Sequence, residues 1–130
     1  MLTTEYQILL WSVILGLVHV GLTATGAIMV RGMPWGLGPR DVAMPRLEGI
    51  PGRLERACFN FLETFPFFAA LVLLAGILGV HSSLTTWGAM LYFGARVAYV
   101  PVYIAGIPVL RTGIWTVSLV GIVLLLVAVI

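Results

Sequence analysis

The sequence predicts an all-α integral membrane protein, a four-helix transmembrane bundle, and three observations lead there. Hydrophobic residues make up 61% of the 130 residues and charged residues only 9%, and the mean hydropathy of +1.11 lies outside the range of water-soluble domains. A membrane-crossing helix needs about 20 apolar residues. The chain offers four such stretches, over about 6–30, 52–78, 84–104 and 109–130, with one connection of any length between them. Residues 1–130 therefore read as one transmembrane unit with no separate soluble domain.

The first span, from Tyr6 to Val30, is too long for a signal-peptide core and follows Glu5 rather than a basic segment, so it reads as retained. Gly16, Gly21 and Gly26, with Thr23 and Ala27, give it small surfaces suited to close helix contact. His19 has no neighbouring ligand set, so an interhelical hydrogen bond is expected of it rather than metal binding. The second span, Gly52 to Leu78, contains Pro66, which is expected to kink it. The third follows the polar break His81-Ser82-Ser83, whose serines suit a helix cap and whose histidine is expected in water. The fourth follows the tight turn Ala105-Gly106-Ile107-Pro108, with proline placed for a helix start. Connections this short force neighbouring helices to run antiparallel. The first connection, about Arg31 to Pro51, is rich in proline and glycine and carries Arg31, Arg40, Asp41, Arg46 and Glu48, as expected of an ordered but irregular cap.

All seven basic residues are arginines; Arg31, Arg40, Arg46, Arg53 and Arg56 surround the first connection, Arg111 flanks the third, and the second has none. The positive-inside rule then puts the first and third connections in the cytoplasm and both termini on the opposite side, across the inner membrane if the source is bacterial. The net charge of +2 and pI near 9.1 reflect this local cluster, which excludes a nucleic-acid reading. Cys58 is the only cysteine, so there is no intramolecular disulfide or CxxC motif, and it reads as a packing residue.

Ionisable side chains at bilayer depth cost several kcal/mol unless they are paired or wet, and so mark functional sites. Arg56, Asn60 and Glu63 are spaced by four and three, and Arg96, Tyr99 and Tyr103 by three and four, so each trio lies along one helical face. Arg56 to Glu63 descends roughly 10 Å at 1.5 Å per residue, while the antiparallel third span rises, so facing stripes would bring Glu63 to Arg96 at depth and Arg56 to Tyr103 near the surface. If Glu63 and Arg96 neutralise each other, Arg56, Asn60, Tyr99 and Tyr103 remain as surplus donors, with Arg31 or Arg53 as further cations, and the ligand should be polar and anionic. Arg111 and Thr112 add a cation and a hydroxyl at the start of the fourth span, where the helix dipole also favours negative charge. A thiolate would be stabilised there.

The pattern RAxxNxxExxP from Arg56 to Pro66, then RxxYxxxY from Arg96 to Tyr103, then Arg111 after a short turn, resembles the MAPEG family, the membrane-associated proteins of eicosanoid and glutathione metabolism. Within it the leukotriene C synthase and microsomal glutathione transferase pattern is the closer fit. The resemblance implies a homotrimer with glutathione bound between adjacent subunits near the cytoplasmic side. It implies that Arg56, Asn60, Glu63, Arg96, Tyr99 and Tyr103 form the glutathione site, that Arg31 joins them from the first loop, and that Arg111 lies beside the thiol with Thr112 as an auxiliary hydrogen-bond donor. Glutathione is then the co-substrate, no metal is needed, and the partner is an apolar, membrane-dissolved electrophile or lipid hydroperoxide. Phe59 and Tyr99 depart from the arginine or histidine that some members carry there, and Cys58 from a polar residue.

Simpler roles are open to several of these residues. Arg40, Arg46 and Arg53 read as topology anchors or lipid-headgroup contacts, and Tyr92 as part of an aromatic belt. The Glu63–Arg96 pair could be purely structural, and Arg111 could be another interfacial anchor. Two other function classes also fit in outline: a non-catalytic MAPEG-fold subunit that binds lipid or scaffolds a membrane complex, and, remotely, a small multidrug transporter.

Overall fold

The computed structural model describes all 130 residues and is entirely helical: α1 (Thr4–Arg31), α2 (Met33–Leu37), α3 (Gly49–Ile77), α4 (Ser83–Ala105) and α5 (Pro108–Val129). The four long helices match the four expected spans to within three residues at each end, and each is long and apolar enough to cross a membrane. α3 and α4 sit centrally; α1 packs on both from one side and α5 on both from the other. The short helix α2 was not expected. It begins with Pro34 at its first turn, where a missing N–H costs nothing, and packs back on α1.

Only 23 of the 130 residues are buried, so most apolar side chains point outward, as they must when lipid is the solvent. The small core holds Phe68, Val72, Ala89, Tyr92 and Leu125, from α3, α4 and α5. Tyr92 is therefore no belt residue. Its ring stacks on Phe68 with centroids 4.0 Å apart and its hydroxyl meets Thr64 Oγ1 at 3.2 Å, both on α3, so it faces the bundle interior. Pro66 lies within α3 without ending it.

Glycine sets how closely α4 and α5 approach. A Cβ on Gly88 would stand 2.8 Å from the Gly121 carbonyl oxygen, and one on Gly121 would stand 2.6 Å from the Gly88 oxygen. The two backbones thus touch reciprocally. On α1, a Cβ at Gly16 would meet the Phe61 ring at 2.9 Å, whereas Gly21 faces open space, so the small-residue stripe serves packing in part only.

The end of the bundle with the α3–α4 turn is braced by a carboxylate. Ser82 caps α4 in a reciprocal box with Thr85, with N–H···O distances of 3.3 and 3.0 Å. Buried Glu5 then accepts from the hydroxyls of Thr85 at 2.7 Å and Thr86 at 2.9 Å, tying the start of α1 to the start of α4. His81, half exposed, stands 3.8 Å from the same carboxylate. At the other end Arg53 donates to the Ile104 carbonyl at 2.6 Å, satisfying an acceptor in the last turn of α4. That fixed cap is a more definite role than the topology anchor expected of it.

Gly121→Ala should lower the thermal stability of the detergent-solubilised protein by on the order of 1–3 kcal/mol, since a methyl group forced against backbone cannot be absorbed by side-chain movement. Gly21→Ala, in open space, should leave the melting temperature unchanged.

Candidate functional site

α3, α4 and α5 converge on a polar cleft of about 240 Å³, near the end of the bundle with the α4–α5 turn, lined by Arg56, Asn60, Tyr99, Tyr103, Arg111, Thr112 and Trp115. Each helix contributes residues three or four apart. Arg56 and Asn60 come from α3, Tyr99 and Tyr103 from α4, and Arg111, Thr112 and Trp115 from the first two turns of α5. The expected registry holds at the mouth, where Arg56 Nε donates to the Tyr103 hydroxyl at 3.3 Å. The Arg111 guanidinium lies over the same tyrosine, 5.0 Å from the Tyr103 ring centroid, and the Tyr103 and Tyr99 ring centroids are 5.4 Å apart.

Below the cleft the expected ion pair is not made. Arg96 is 1% exposed, and its Nη1 donates to Asn60 Oδ1 at 2.9 Å, with no carboxylate within the 4.0 Å of an ion pair. Glu63 is exposed on the flank of α3. The reason is stacking. The Arg96 guanidinium lies 4.7 Å from the Tyr99 ring centroid and 5.6 Å from that of Phe61, and this arrangement presents its Nη1 edge to Asn60, one turn before Glu63. Its Nε and Nη2 have no partner. Arg96 is thus a support beneath the cleft rather than one of its lining residues.

Three further expectations change. Arg31 lies outside the cleft: it donates to the Pro45 carbonyl at 2.9 Å, stacks 4.6 Å from Trp35, and lines a second hollow of about 240 Å³ with Arg40, Glu55 and Cys58. Trp35, on the unexpected α2, draws it there. His19 makes no interhelical hydrogen bond; its ring stacks on Phe61 at 5.1 Å and Nε2 is unpartnered, because α3 meets it with an aromatic face. The Thr112 hydroxyl donates to the Pro108 carbonyl at 3.1 Å, so its proton is committed within its own helix and only the oxygen lone pairs face other groups.

Trp115 was not among the expected lining residues. Its spacing of four from Arg111 placed it on the same face of α5, a signal masked by the apolar run around it.

Guanidinium groups at the mouth, tyrosine hydroxyls along one wall and no lining carboxylate give the cleft a donor-rich, cationic lining whose chemistry matches that of a polar anion.

Asn60→Ala should cost on the order of 1–3 kcal/mol of stability by stripping the buried guanidinium of its one hydrogen-bond partner. Adding Arg96→Met should recover most of that loss, since the uncompensated charge then disappears. Thermal unfolding of the two single variants and the double variant measures this coupling.

The family model for the MAPEG family matches residues 8–130, nearly the whole chain. No curated protein matches the sequence significantly. The chain belongs to the MAPEG family, and with its four apolar helices it is an integral multi-pass membrane protein, which removes the small multidrug transporter reading.

Proposed function

From membership of a family that includes glutathione transferases alongside other members, we propose that this chain is a membrane glutathione transferase or glutathione-dependent peroxidase. One observation supports the reading above all: Arg56, Asn60, Tyr99, Tyr103, Arg111 and Thr112, drawn from three helices, line one cleft. Glutathione offers two carboxylates and a thiol, and the cleft offers cations and hydroxyl groups. In this reading Arg56 binds a carboxylate through a charge-assisted, forked contact, and Asn60, Tyr99 and Tyr103 hold the peptide. Arg96 acts from below by fixing Asn60.

Arg111 activates the thiol. A free thiol has a pKa of about 8.5, and a nearby guanidinium lowers it by roughly a unit or more, raising the thiolate fraction at neutral pH. The thiol proton passes to water. The thiolate sulfur then forms a bond to the electrophilic carbon as the leaving group departs with its electron pair. With a hydroperoxide, sulfur takes the terminal oxygen, the alcohol leaves, and a second glutathione yields disulfide and water. The apolar partner arrives laterally from the bilayer.

The proposed assembly is a homotrimer, with glutathione near the cytoplasmic side between subunits. Two features support it. Glu63 is an exposed carboxylate on a membrane-spanning helix, and a second chain would cover it. Arg31 and Cys58 share a hollow on the opposite flank from the cleft, where they would complete a neighbouring copy's site.

Purified protein assayed with glutathione and an activated aryl halide or a lipid hydroperoxide tests the proposal. Arg111→Ala should lower kcat about 10–100-fold with a smaller change in glutathione KM, and should move the apparent pKa of the rate profile upward by about one unit toward that of the free thiol. Arg56→Ala should raise glutathione KM about tenfold at little cost in kcat. Absence of both glutathione binding and turnover in the wild-type protein would sink the proposal.

A further inference from the structure

Beside the cleft lies a smaller hollow of about 150 Å³, lined by Arg53, Arg56, Tyr103, Gly106, Ile107, Pro108 and Arg111. Three guanidinium groups converge here, and none has a carboxylate within ion-pair distance. Each carries five N–H donors. Arg53 spends one on Ile104, Arg56 one on Tyr103, and Arg111 only stacks on the Tyr103 ring. Gly106 makes the approach possible: its φ of 74° suits the left-handed turn, and a Cβ there would stand 3.3 Å from the Arg53 guanidinium. The hollow lies at the turn joining two membrane-spanning helices, and therefore at the depth of lipid headgroups.

We infer that this hollow is a phosphate-class anion site, adjoining the proposed thiol-peptide site and sharing Arg56, Tyr103 and Arg111 with it, and filled by the headgroup phosphate of an anionic phospholipid. A tetrahedral oxyanion presents oxygens in several directions, matching three convergent guanidinium groups better than a planar carboxylate, whose two oxygens lie in one plane. Basic pockets between transmembrane helices bind acidic lipid headgroups by this chemistry. Arg53 serves the hollow alone, whereas Arg56 and Arg111 also line the cleft, so the two ligands oppose each other through shared cations.

Native mass spectrometry of the detergent-solubilised protein with equimolar phosphatidylglycerol and phosphatidylcholine tests this without reference to any turnover. The wild-type protein should retain phosphatidylglycerol about tenfold over phosphatidylcholine. Arg53→Gln, which keeps a donor for Ile104, should bring the two to parity. Equal retention of the two lipids by the wild-type protein, or an unchanged preference in Arg53→Gln, overturns the inference. If Arg53→Gln does not fold, phenylglyoxal labelling of wild-type Arg53 substitutes: slowing by phosphatidylglycerol but not phosphatidylcholine supports the site, and equal rates overturn it. Displacement of the lipid by equimolar inorganic phosphate supports the same oxyanion chemistry with an aqueous source; retention of the lipid supports the headgroup. Because these readings need no enzymatic activity, the site and the proposed transferase can fail independently.

Discussion

The Arg96–Asn60 hydrogen bond is the contact on which the cleft end of this bundle turns. It joins α3 to α4 beneath the cleft, and above it Asn60, Tyr99, Arg56 and Tyr103 fall into facing positions. A guanidinium that is 1% exposed and has two unpartnered nitrogens is costly to hold. What offsets the cost locally is one amide oxygen and two aromatic faces. Lipid cannot supply such partners, so burial of Arg96 selects arrangements that keep these helix faces together.

The rest of the molecule prepares that contact. Gly88 and Gly121 bring α4 and α5 to backbone distance, which places the first turns of α5 beside Tyr103. At the far end, Glu5 ties α1 to α4 through two threonine hydroxyls. Arg53 closes the near end of α4 from α3. The small apolar core lies between these polar clasps, as suits a protein whose outer faces gain little from being removed from lipid.

Much of this was legible in the sequence, and what was not has physical causes. Span positions follow from hydropathy, and the apposition of Arg56 with Tyr103 follows from helical period and antiparallel direction. The partner of Arg96 does not. Asn60 and Glu63 lie on the same nominal face, and the choice between them rests on how the guanidinium stacks on Tyr99 and Phe61, a side-chain matter that spacing cannot express. Tyr92 misled for a related reason, since an aromatic residue in a span looks the same whether it faces lipid or a glycine-lined neighbour. The Glu5 clasp joins residues 80 positions apart, a separation at which local pattern carries no information. α2 and its hold on Arg31 arise in a proline- and glycine-rich loop whose helical turn is too short to show a period.

The reciprocal glycine contact also distinguishes the walls of the polar cavity by how they are joined. Two helices in backbone-to-backbone contact have no compressible side-chain layer between them at that crossing, so α4 and α5 have little freedom to approach further there. α3 meets that pair through the Arg53, Arg56, Arg96 and Thr64 bonds, where rotamers can adjust without breaking the backbone seam. Of the three walls of the chamber, those from α4 and α5 are thus seated on each other through main chain, whereas the wall from α3 is fastened to its neighbour by side chains.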